Sequence, residues 1–501
     1  MNEMFLENKN YNLDEIFEII SVKPTIHLDD SIKEIVEKSY KTVSEIVKSS
    51  KTVYGINTGF GKLSQVSILK EELFKLQENL LLSHAVGVGN VVDDDIVWIM
   101  LFIKILSLCK GYSGVSVELI EKLIELLNSG YLPIIPSQGS VGASGDLAPL
   151  AHMALPLICE GEVRKNKKIF SSEKIFKNKY LLQPKEGLAI INGTQFSTAL
   201  AIKAMYKIKK ISKIADIVSA LTIEGLLGTD EAFRYDVQRV KLHSEQLKVS
   251  KNLSFLLKDS EIHASHKECD RVQDMYSLRC IPQVHGASRE NLKNIYMIVE
   301  NELNSVSDNP IVLSDGGEIV SSGHFHAEVI AQAMDSAAIA VSGYSTISER
   351  RIYSLIDGKF GLPPFLIENA GINSGCMMLQ VTAASLVSEN KTLSHPASVD
   401  SIPTGAGQED HVSMAPWAGR KLLKIITNTE NILAIELLLA THALYKRKNM
   451  QPGFELIKLV DYLKQNIKEL KVDRLMQEEL NFSKELIYSG KILNYVSNKI
   501  K

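Results

Sequence analysis

A long stretch of helical sequence, residues 412–446, constrains the fold more than any other feature of the chain. It carries apolar residues round most of a helix rather than along one face. A helix of this kind must be buried, either within a large bundle or against another subunit. The apolar positions are Leu422-Leu423, Ile425-Ile426, Ile432-Leu433, Ile435 and Leu437-Leu438-Leu439.

Helical spacing of apolar residues recurs along most of the chain, and β-like runs are short. The spacing predicts helices at residues 31–49, 70–82, 94–109, 117–127, 188–227, 289–307 and 327–356, and β-like runs at such places as 162–170 and 311–314. We therefore predict a mainly α fold with a core of long bundled helices. The N-terminal domain, residues 1–187, is expected to consist of helices and Gly-rich loops, and residues 188–501 to form the long-helix bundle.

The composition is typical of a large globular enzyme. The chain has 501 residues, of which 45% are hydrophobic, and a net charge of -3, which leaves no basic excess for a nucleic acid or an anionic membrane. Its five cysteines form no C-x-x-C pair, and the N-terminus has no apolar signal-peptide core. The two most apolar windows are short and are interrupted by Lys104 and Glu436. We predict a cytoplasmic protein with no nucleic acid and no membrane as partner.

The tripeptide Ala143-Ser144-Gly145 is chemically suited to form an electrophile from its own backbone. Attack of the Gly145 nitrogen on the Ala143 carbonyl carbon closes a five-membered imidazolone ring. Gly145 has no Cβ to oppose this fold of the backbone, and loss of the Ser144 hydroxyl as water leaves an exocyclic methylene. The product is 4-methylidene-imidazol-5-one (MIO), an electron-poor alkene.

Two other interpretations of this segment compete with cyclisation. A stretch rich in Gly, Ser and Ala is usually a turn. Ser144 could also be a hydrolase nucleophile, but Asp146 stands where the elbow motif G-x-S-x-G needs its second glycine.

The residues around the tripeptide decide between these interpretations. The segment from Gly139 to His152, Gly-Ser-Val-Gly-Ala-Ser-Gly-Asp-Leu-Ala-Pro-Leu-Ala-His, resembles the cofactor segment of the MIO-dependent aromatic amino acid ammonia-lyases and aminomutases. The resemblance extends from about Tyr54 to about Arg420 through six motifs. It implies that Ser144 becomes the 2,3-didehydroalanine of an MIO group formed without a metal. It also implies a homotetramer around a central helical bundle, with active sites assembled from several subunits.

The segment Tyr54-Gly-Ile-Asn-Thr-Gly-Phe-Gly-Lys-Leu has some of the character of a phosphate-binding loop. Walker A needs glycine at position 56 and Ser or Thr at position 63, where this chain has Ile56 and Leu63. Its glycines instead suggest a mobile lid over a pocket. The resemblance implies that Tyr54 is the general base that removes the β-proton, so the site must lower the phenol pKa from its usual value near 10.

Carboxylate binding is predicted in the segment Gln273-Asp-Met-Tyr276-Ser-Leu-Arg279. The planar fork of Arg279 can hold a carboxylate with two hydrogen bonds. The resemblance implies that Tyr276 is a second catalytic tyrosine and that Gln273 binds substrate. Asn192, in Asn-Gly-Thr-Gln, could donate to a carboxylate or to the imidazolone oxygen, and both alternatives stay open.

Substrate choice is expected to depend on Ser83-His84, Glu409 and Phe325. Serine followed by histidine is the pattern of family members that act on histidine, and Phe325 matches an aromatic pocket residue. Glu409 suits an imidazole, whereas a phenyl ring would leave its carboxylate unpaired at a cost of about 1–3 kcal/mol. The resemblance therefore implies conversion of L-histidine to trans-urocanate and ammonia, the first step of histidine degradation. Whether the substrate amine or its ring attacks the electrophile stays open.

The rival functions are a tyrosine or phenylalanine ammonia-lyase, a 2,3-aminomutase and a catalytically silent helical scaffold. The pairs His324-x-His326 and His263-x-x-His266 lack the helical H-E-x-x-H pattern of a metalloenzyme, so no metal is predicted. Relative to the family pattern, His324 replaces an Asn, and the loop after Thr404 reads Gly-Ala-Gly instead of Ser-Ala-Asn. These departures affect local loop geometry more than the reaction class.

Overall fold

The computed structural model describes residues 3–49, 52–267 and 269–500, and its strands are few and short. β1 and β2 pair in parallel, while β3 with β5, β4 with β6, β6 with β7, and β8 with β9 pair antiparallel. The strands are β1 (Glu3–Leu6), β2 (Thr25–Leu28), β3 (Val88–Val91), β4 (Leu132–Pro133), β5 (Pro136–Gln138), β6 (Glu162–Lys165), β7 (Lys168–Ser171), β8 (Ile311–Leu313) and β9 (Glu318–Val320).

Helices make up most of the remaining structure, and several exceed twenty residues. They are α1 (Leu13–Val22), α2 (Asp30–Lys48), α3 (Leu73–His84), α4 (Asp94–Cys109), α5 (Val117–Ser129), α6 (Leu147–Ala154), α7 (Ser172–Ile175), α8 (Glu186–Ile191), α9 (Gln195–Gly225), α10 (Tyr235–Gln238), α11 (Ser244–Leu256), α12 (Glu261–Ala264), α13 (Tyr276–Arg279), α14 (Ile281–Leu303), α15 (Glu328–Ile356), α16 (Met377–Leu393), α17 (Ala415–Tyr445), α18 (Ile457–Asn466) and α19 (Gln477–Ser489). Short 3-10 turns occupy Gly61–Leu63, Lys70–Glu72, Leu155–Ile158, Glu231–Phe233, Gly405–Gly407, Phe454–Leu456 and Lys491–Tyr495.

The predicted mainly α fold is confirmed. Helix α4 has the predicted bounds, and α2, α5, α15 and α17 differ from prediction by a few residues. The helix predicted at 188–227 is instead two helices, α8 and α9, because the backbone turns out of helical geometry at Asn192 and Gly193. Gly193 has φ +134°, which favours glycine.

The chain divides into two compact units. The first contains Met1–Ala204, Tyr296–Asp335 and Pro396–Arg420, and the second contains Met205–Ile295, Ser336–His395 and Lys421–Lys501. All nine strands given above lie in the first unit. Segments of the two units alternate along the sequence. The sequence instead predicted a single boundary between residues 187 and 188, which stays a prediction.

Local sequence accounts for helix α5 and its neighbours. The Ser116 hydroxyl caps the N-terminus of α5 by accepting from the Leu119 N–H, and Gly130 ends the helix in the left-handed conformation that glycine adopts most readily. Helix α1 begins with a capping box in which Asn12 and Glu15 each accept from the other's backbone N–H. These polar ends leave the apolar face of each helix free to pack.

Two helices are almost completely buried. In α4 every residue from Ile96 to Cys109 is buried, including the single lysine, Lys104. In α17 the apolar positions predicted to need cover, such as Leu422, Ile432 and Leu438, are fully buried within the chain itself. These residues of α17 are therefore buried within the helical bundle of the chain itself, and another subunit is not needed to cover them. Among the described residues, no helix is both long enough and apolar enough to cross a membrane.

Candidate active site

A large open cavity of about 1410 Å³ lies in the first unit, and most of the predicted site residues line it. The lining is supplied by the loop after Tyr54, the end of α3, the segment before α6, the end of α8 and two later loops. Eight predicted residues are among those that line it: Tyr54, Ser83, His84, Ala143, Ser144, Asn192, Phe325 and Glu409.

The backbone around the tripeptide is tightly enclosed. Gly145 has φ +81°, and a Cβ at this position would collide with the backbone of Gly193. The Asp146 N–H donates to the Gly193 carbonyl at 2.7 Å, which holds the two backbone segments together. Ala143 is buried. Only glycine fits at position 145, as the predicted cyclisation also requires.

Asn192 contacts the tripeptide directly. Its Nδ2 donates to the carbonyl oxygen of Ser144 at 2.6 Å. On cyclisation this oxygen would become the carbonyl oxygen of the imidazolone. Of the two alternatives for Asn192, the geometry therefore favours the imidazolone oxygen over a substrate carboxylate.

Lys104 holds the backbone of Asn192 in place from within the core. Its Nζ donates to the carbonyl oxygens of Ala189 and Asn192, each at 3.0 Å. These are carbonyls at the end of α8, where a helix lacks internal donors. Burial lowers the pKa of Lys104 to about 7.

Asp146 anchors the other side of the tripeptide. Its buried carboxylate accepts from the Ser140 hydroxyl at 3.0 Å, the Ser197 hydroxyl at 3.0 Å and the Ser197 N–H at 2.8 Å. Burial raises the pKa of Asp146 to about 6, although the hydrogen bonds oppose the rise. The carboxylate ties the loop before Ala143 to the first turn of α9.

Glu409 has both carboxylate oxygens engaged. Oε1 accepts from the Ser144 hydroxyl at 2.5 Å, and Oε2 accepts from the Thr404 hydroxyl. Thr404 and Glu409 also exchange backbone hydrogen bonds across the turn between them, at 2.9 and 3.3 Å. The carboxylate predicted to recognise substrate thus contacts Ser144 directly.

Ser83 and His84 lie at the end of α3 beside the same cavity. His84 Nδ1 lies 2.8 Å from the Leu80 carbonyl oxygen, which can only accept, so Nδ1 carries the proton and Nε2 is an acceptor. Burial lowers the pKa of His84, which keeps the ring neutral near pH 7. Ser83 Oγ lies 3.0 Å from His84 Nδ1.

Tyr54 lines the cavity, but its electrostatic environment differs from the prediction. Burial raises the pKa of the phenol, the Glu409 carboxylate raises it further, and the Gly61 N–H opposes this. The expectation that the site lowers this pKa is therefore wrong for the chain by itself. The physical reason is that desolvation and a nearby anion both disfavour a phenolate.

Gln273, Tyr276 and Arg279 lie in the second unit and are not among the residues that line this cavity. Gln273 is exposed, and Tyr276 is 71% exposed at the start of α13. The Arg279 guanidinium lies 4.6 Å from the centre of the Tyr276 ring, and its Nε has no hydrogen-bond partner in the described part of the chain. An arginine with this spare donor capacity is suited to bind an external carboxylate.

Comparisons with known proteins identify the family of the chain. The family model for aromatic amino acid lyases matches residues 11–465. The chain belongs to the aromatic amino acid lyase family. A curated histidine ammonia-lyase from Caldanaerobacter subterraneus subsp. tengcongensis is 43% identical over 497 residues, with 98% of each chain covered.

Solved structures of family members share the fold. The crystal structure of histidine ammonia-lyase from Trypanosoma cruzi matches with a TM-score of 0.90 and 37% identity, covering 99% of this chain and 96% of that one. The tyrosine aminomutase from Streptomyces globisporus matches with a TM-score of 0.92 and 30% identity, covering 98% of each chain. The fold is therefore shared by lyases and aminomutases.

Three residues of this lyase site were not identified from the sequence as members of it: Lys104, Asp146 and Thr404. Lys104 did give a signal, because it is a lone lysine in an otherwise apolar helical window. Asp146 and Thr404 lie inside the quoted motifs, but nothing in their spacing reveals the carboxylate or hydroxyl that each contacts.

One cluster in the lyase could hold a divalent cation. Donor atoms of His326, Glu328 and His411 lie within 4.8 Å of one another. The two rings are parallel with centroids 5.6 Å apart, and His326 Nε2 lies 3.2 Å from the His411 carbonyl oxygen. This set shares His326 with one of the histidine pairs considered in the sequence and adds Glu328 and His411. The expectation of no metal stays a prediction.

Proposed function

We propose that the chain is a histidine ammonia-lyase that converts L-histidine to trans-urocanate and ammonia, the first step of histidine degradation. The observation that carries this proposal is the pair of contacts on Ser144: Asn192 donates to its carbonyl oxygen and Glu409 accepts from its hydroxyl. The histidine ammonia-lyases among its relatives support the same function.

We propose that Ala143-Ser144-Gly145 forms an MIO group, and the residues present fit this group. Gly145 has space for no side chain, and Asn192 offers a donor to the oxygen that the ring would retain. When formed, the group supplies an electrophile for the substrate amine or ring. Asn192 would then stabilise negative charge at the Ser144 oxygen, in a buried position where a hydrogen bond has most effect.

Recognition of the imidazole is assigned to Glu409, Ser83 and His84. A carboxylate and a neutral histidine with Nε2 as acceptor can each receive an N–H of the substrate ring. A phenyl ring offers neither partner a hydrogen bond. This polar lining favours histidine over phenylalanine.

Tyr54 is proposed as the base that removes the β-proton. In the chain by itself, burial and the Glu409 carboxylate raise the phenol pKa, and a cation close to the phenol would lower it. The α-ammonium of the zwitterionic substrate is such a cation. Substrate binding would then activate its own base.

Arg279, Gln273 and Tyr276 are proposed to bind the substrate carboxylate and complete the site from another subunit of a homotetramer. The unpartnered Nε of Arg279 and the exposure of Tyr276 support this assignment. A cytoplasmic location stays a prediction from the composition.

A second candidate is an aminomutase, because the tyrosine aminomutase structure matches as well in fold. The two functions differ in product. A lyase releases ammonia and an unsaturated acid, whereas an aminomutase returns a β-amino acid. Glu409 and the Ser83-His84 pair favour the lyase acting on histidine.

The test is to incubate the purified protein separately with L-histidine, L-tyrosine and L-phenylalanine. We expect urocanate, followed by its ultraviolet absorbance, with one ammonia for each urocanate, and slower turnover of the other two. The intact mass should be lower than that of the sequence by two waters. Ser144→Ala has no hydroxyl to lose, so it should not show the two-water mass loss and should lose nearly all activity. A β-amino acid product would favour the aminomutase, and a full-mass inactive protein would favour the scaffold.

A further inference from the structure

We propose that Thr404 is a positioning residue for substrate recognition: it holds the Glu409 carboxylate in place for the substrate's imidazole after Ser144 has lost its hydroxyl. The inference rests on the proposed function and adds to it a specificity-determining residue outside the predicted site. It is carried by the contacts of Glu409 and the geometry of the turn from Thr404 to Glu409.

The two oxygens of Glu409 accept from two hydroxyls, and only one of these hydroxyls remains after the MIO group forms. Oε1 accepts from the Ser144 hydroxyl at 2.5 Å, and Oε2 accepts from the Thr404 hydroxyl. Formation of the MIO group removes the Ser144 hydroxyl as water. Oε1 is then released for a substrate N–H, and the Thr404 bond alone of these two continues to orient the carboxylate.

Before this dehydration, the same oxygen is occupied by the chain itself. A carboxylate oxygen has two lone pairs, so before dehydration the Ser144 hydroxyl takes one of the two acceptor positions of Oε1. Maturation therefore has two effects in this site: it creates the electrophile, and it frees an acceptor for the imidazole. Thr404 preserves the position of that acceptor through the change.

The turn between the two residues is built to keep them together. The Thr404 N–H donates to the Glu409 carbonyl at 2.9 Å, and the Glu409 N–H returns a bond to the Thr404 carbonyl at 3.3 Å. Gly405, Ala406 and Gly407 all have positive φ, at 57°, 57° and 85°. These left-handed residues fold the chain back so that the threonine hydroxyl meets the glutamate carboxylate.

Gly405 also allows the Glu409 carboxylate to lie close to Thr404. A Cβ at this position would lie 3.2 Å from Glu409 Cγ and 3.4 Å from Oε2. A side chain there would press on the carboxylate in addition to straining the positive φ. The glycine at this departure from the family's Ser-Ala-Asn pattern leaves the carboxylate room to approach Thr404.

The experiment compares Thr404→Val, which removes the hydroxyl but keeps the shape, with Thr404→Ser, which keeps a hydroxyl. The readouts are the inhibition constants of urocanate, which has the imidazole, and cinnamate, which has a phenyl ring, against L-histidine turnover. Loss of a hydrogen bond to a charged group should weaken urocanate about tenfold or more in Thr404→Val. Cinnamate should change less than about twofold, because it makes no bond to Glu409.

Two further variants sharpen the result. Gly405→Ala should also weaken urocanate selectively with the threonine retained. Thr427→Val is the matched control, since the Thr427 hydroxyl donates to the Leu423 carbonyl of its own helix, and it should change neither constant. Each variant should still show the mass loss of two waters. A change in inhibitor binding is then not due to failure to form the MIO group.

The outcomes separate this inference from the function on which it rests. If the wild-type protein makes no urocanate, the proposed function is wrong. If it does, and Thr404→Val keeps the wild-type ratio of the two inhibition constants, only the role of Thr404 is wrong. Equal weakening of both inhibitors without rescue by Thr404→Ser would also overturn it, because that pattern describes general disruption of the turn.

Discussion

At the scale of single residues, the two oxygens of Ser144 have separate partners with separate consequences. The carbonyl oxygen receives the Asn192 amide, and the hydroxyl donates to Glu409. Formation of an imidazolone would keep the hydrogen bond from Asn192 and remove the one to Glu409, because the ring retains the carbonyl oxygen while the hydroxyl leaves as water. Asn192 is therefore the contact expected to affect the chemical step.

Replacement of Asn192 by Ala should lower kcat by about 10²–10³-fold, as for loss of one donor to a developing oxyanion. Asn192→Asp, with nearly the same shape, should be no better, because a carboxylate cannot donate. The measurement is kcat for L-histidine, with intact mass to confirm that both waters have still been lost. Turnover within a few-fold of wild type in both variants would show that this hydrogen bond does not contribute to catalysis.

At the scale of elements, a buried lysine of α4 contacts the end of α8. Lys104 donates to two carbonyls of that helix end, and one of them belongs to Asn192. A charge on this fully buried side chain carries a desolvation cost. This cost lowers the pKa of Lys104 to about 7.

This cost predicts a pH dependence of stability. Folded Lys104 loses its proton above about pH 7, whereas the unfolded lysine keeps it to about pH 10.4. In this window the unfolded state binds more protons, so the Lys104 contribution to the free energy of unfolding rises with pH. The melting temperature of the wild type relative to Lys104→Met should therefore increase between about pH 7 and 9.5.

The exposed Lys168 provides the control for this measurement. Lys168→Met should show no such trend relative to wild type. A wild-type advantage over Lys104→Met that stays constant, or shrinks, as the pH rises would mean that Lys104 keeps its proton in the folded chain.

At the scale of the whole molecule, the predicted site residues are divided between two units. The first unit carries Ser144, Asn192 and Glu409 at one cavity, and the second carries Tyr276 and Arg279. The proposal of a tetramer with shared sites has a direct genetic test, because defects in two different chains can compensate for each other.

Co-expression of Ser144→Ala with Arg279→Ala should restore activity if one site takes these residues from different chains. Each variant alone should be nearly inactive. Random mixing would give some sites with both normal residues, and we expect recovery of about a quarter of the wild-type rate per site. The measurement is urocanate formation by mixed oligomers purified through two different tags. No recovery in oligomers that contain both chains would place these residues of each site on the same chain.

Sequence and structure contributed differently at each of these scales. The tripeptide and its motif identified the reaction class, and the periodicity located helices such as α4 within a residue, because covalent chemistry and helical spacing are both local. The break between α8 and α9 at Asn192 and Gly193 was not predicted, because apolar helical spacing continues on both sides of it. The predicted lowering of the Tyr54 pKa does not hold for the chain by itself, because burial and the Glu409 carboxylate, which is distant in sequence, raise it.

The sequence by itself predicted the mainly helical fold, the tripeptide proposed to form the electrophile and the residues proposed to bind the substrate. Only the tertiary structure decided which atom of Ser144 each neighbour touches, that Thr404 holds Glu409, and that Lys104 supports Asn192. The physical reason for most of these contacts is range, since the Ser144–Glu409 contact joins residues 265 apart in the chain. The Thr404–Glu409 contact depends instead on the conformation of the turn between them. Their strength depends on desolvation, which exists only once the surrounding helices have packed.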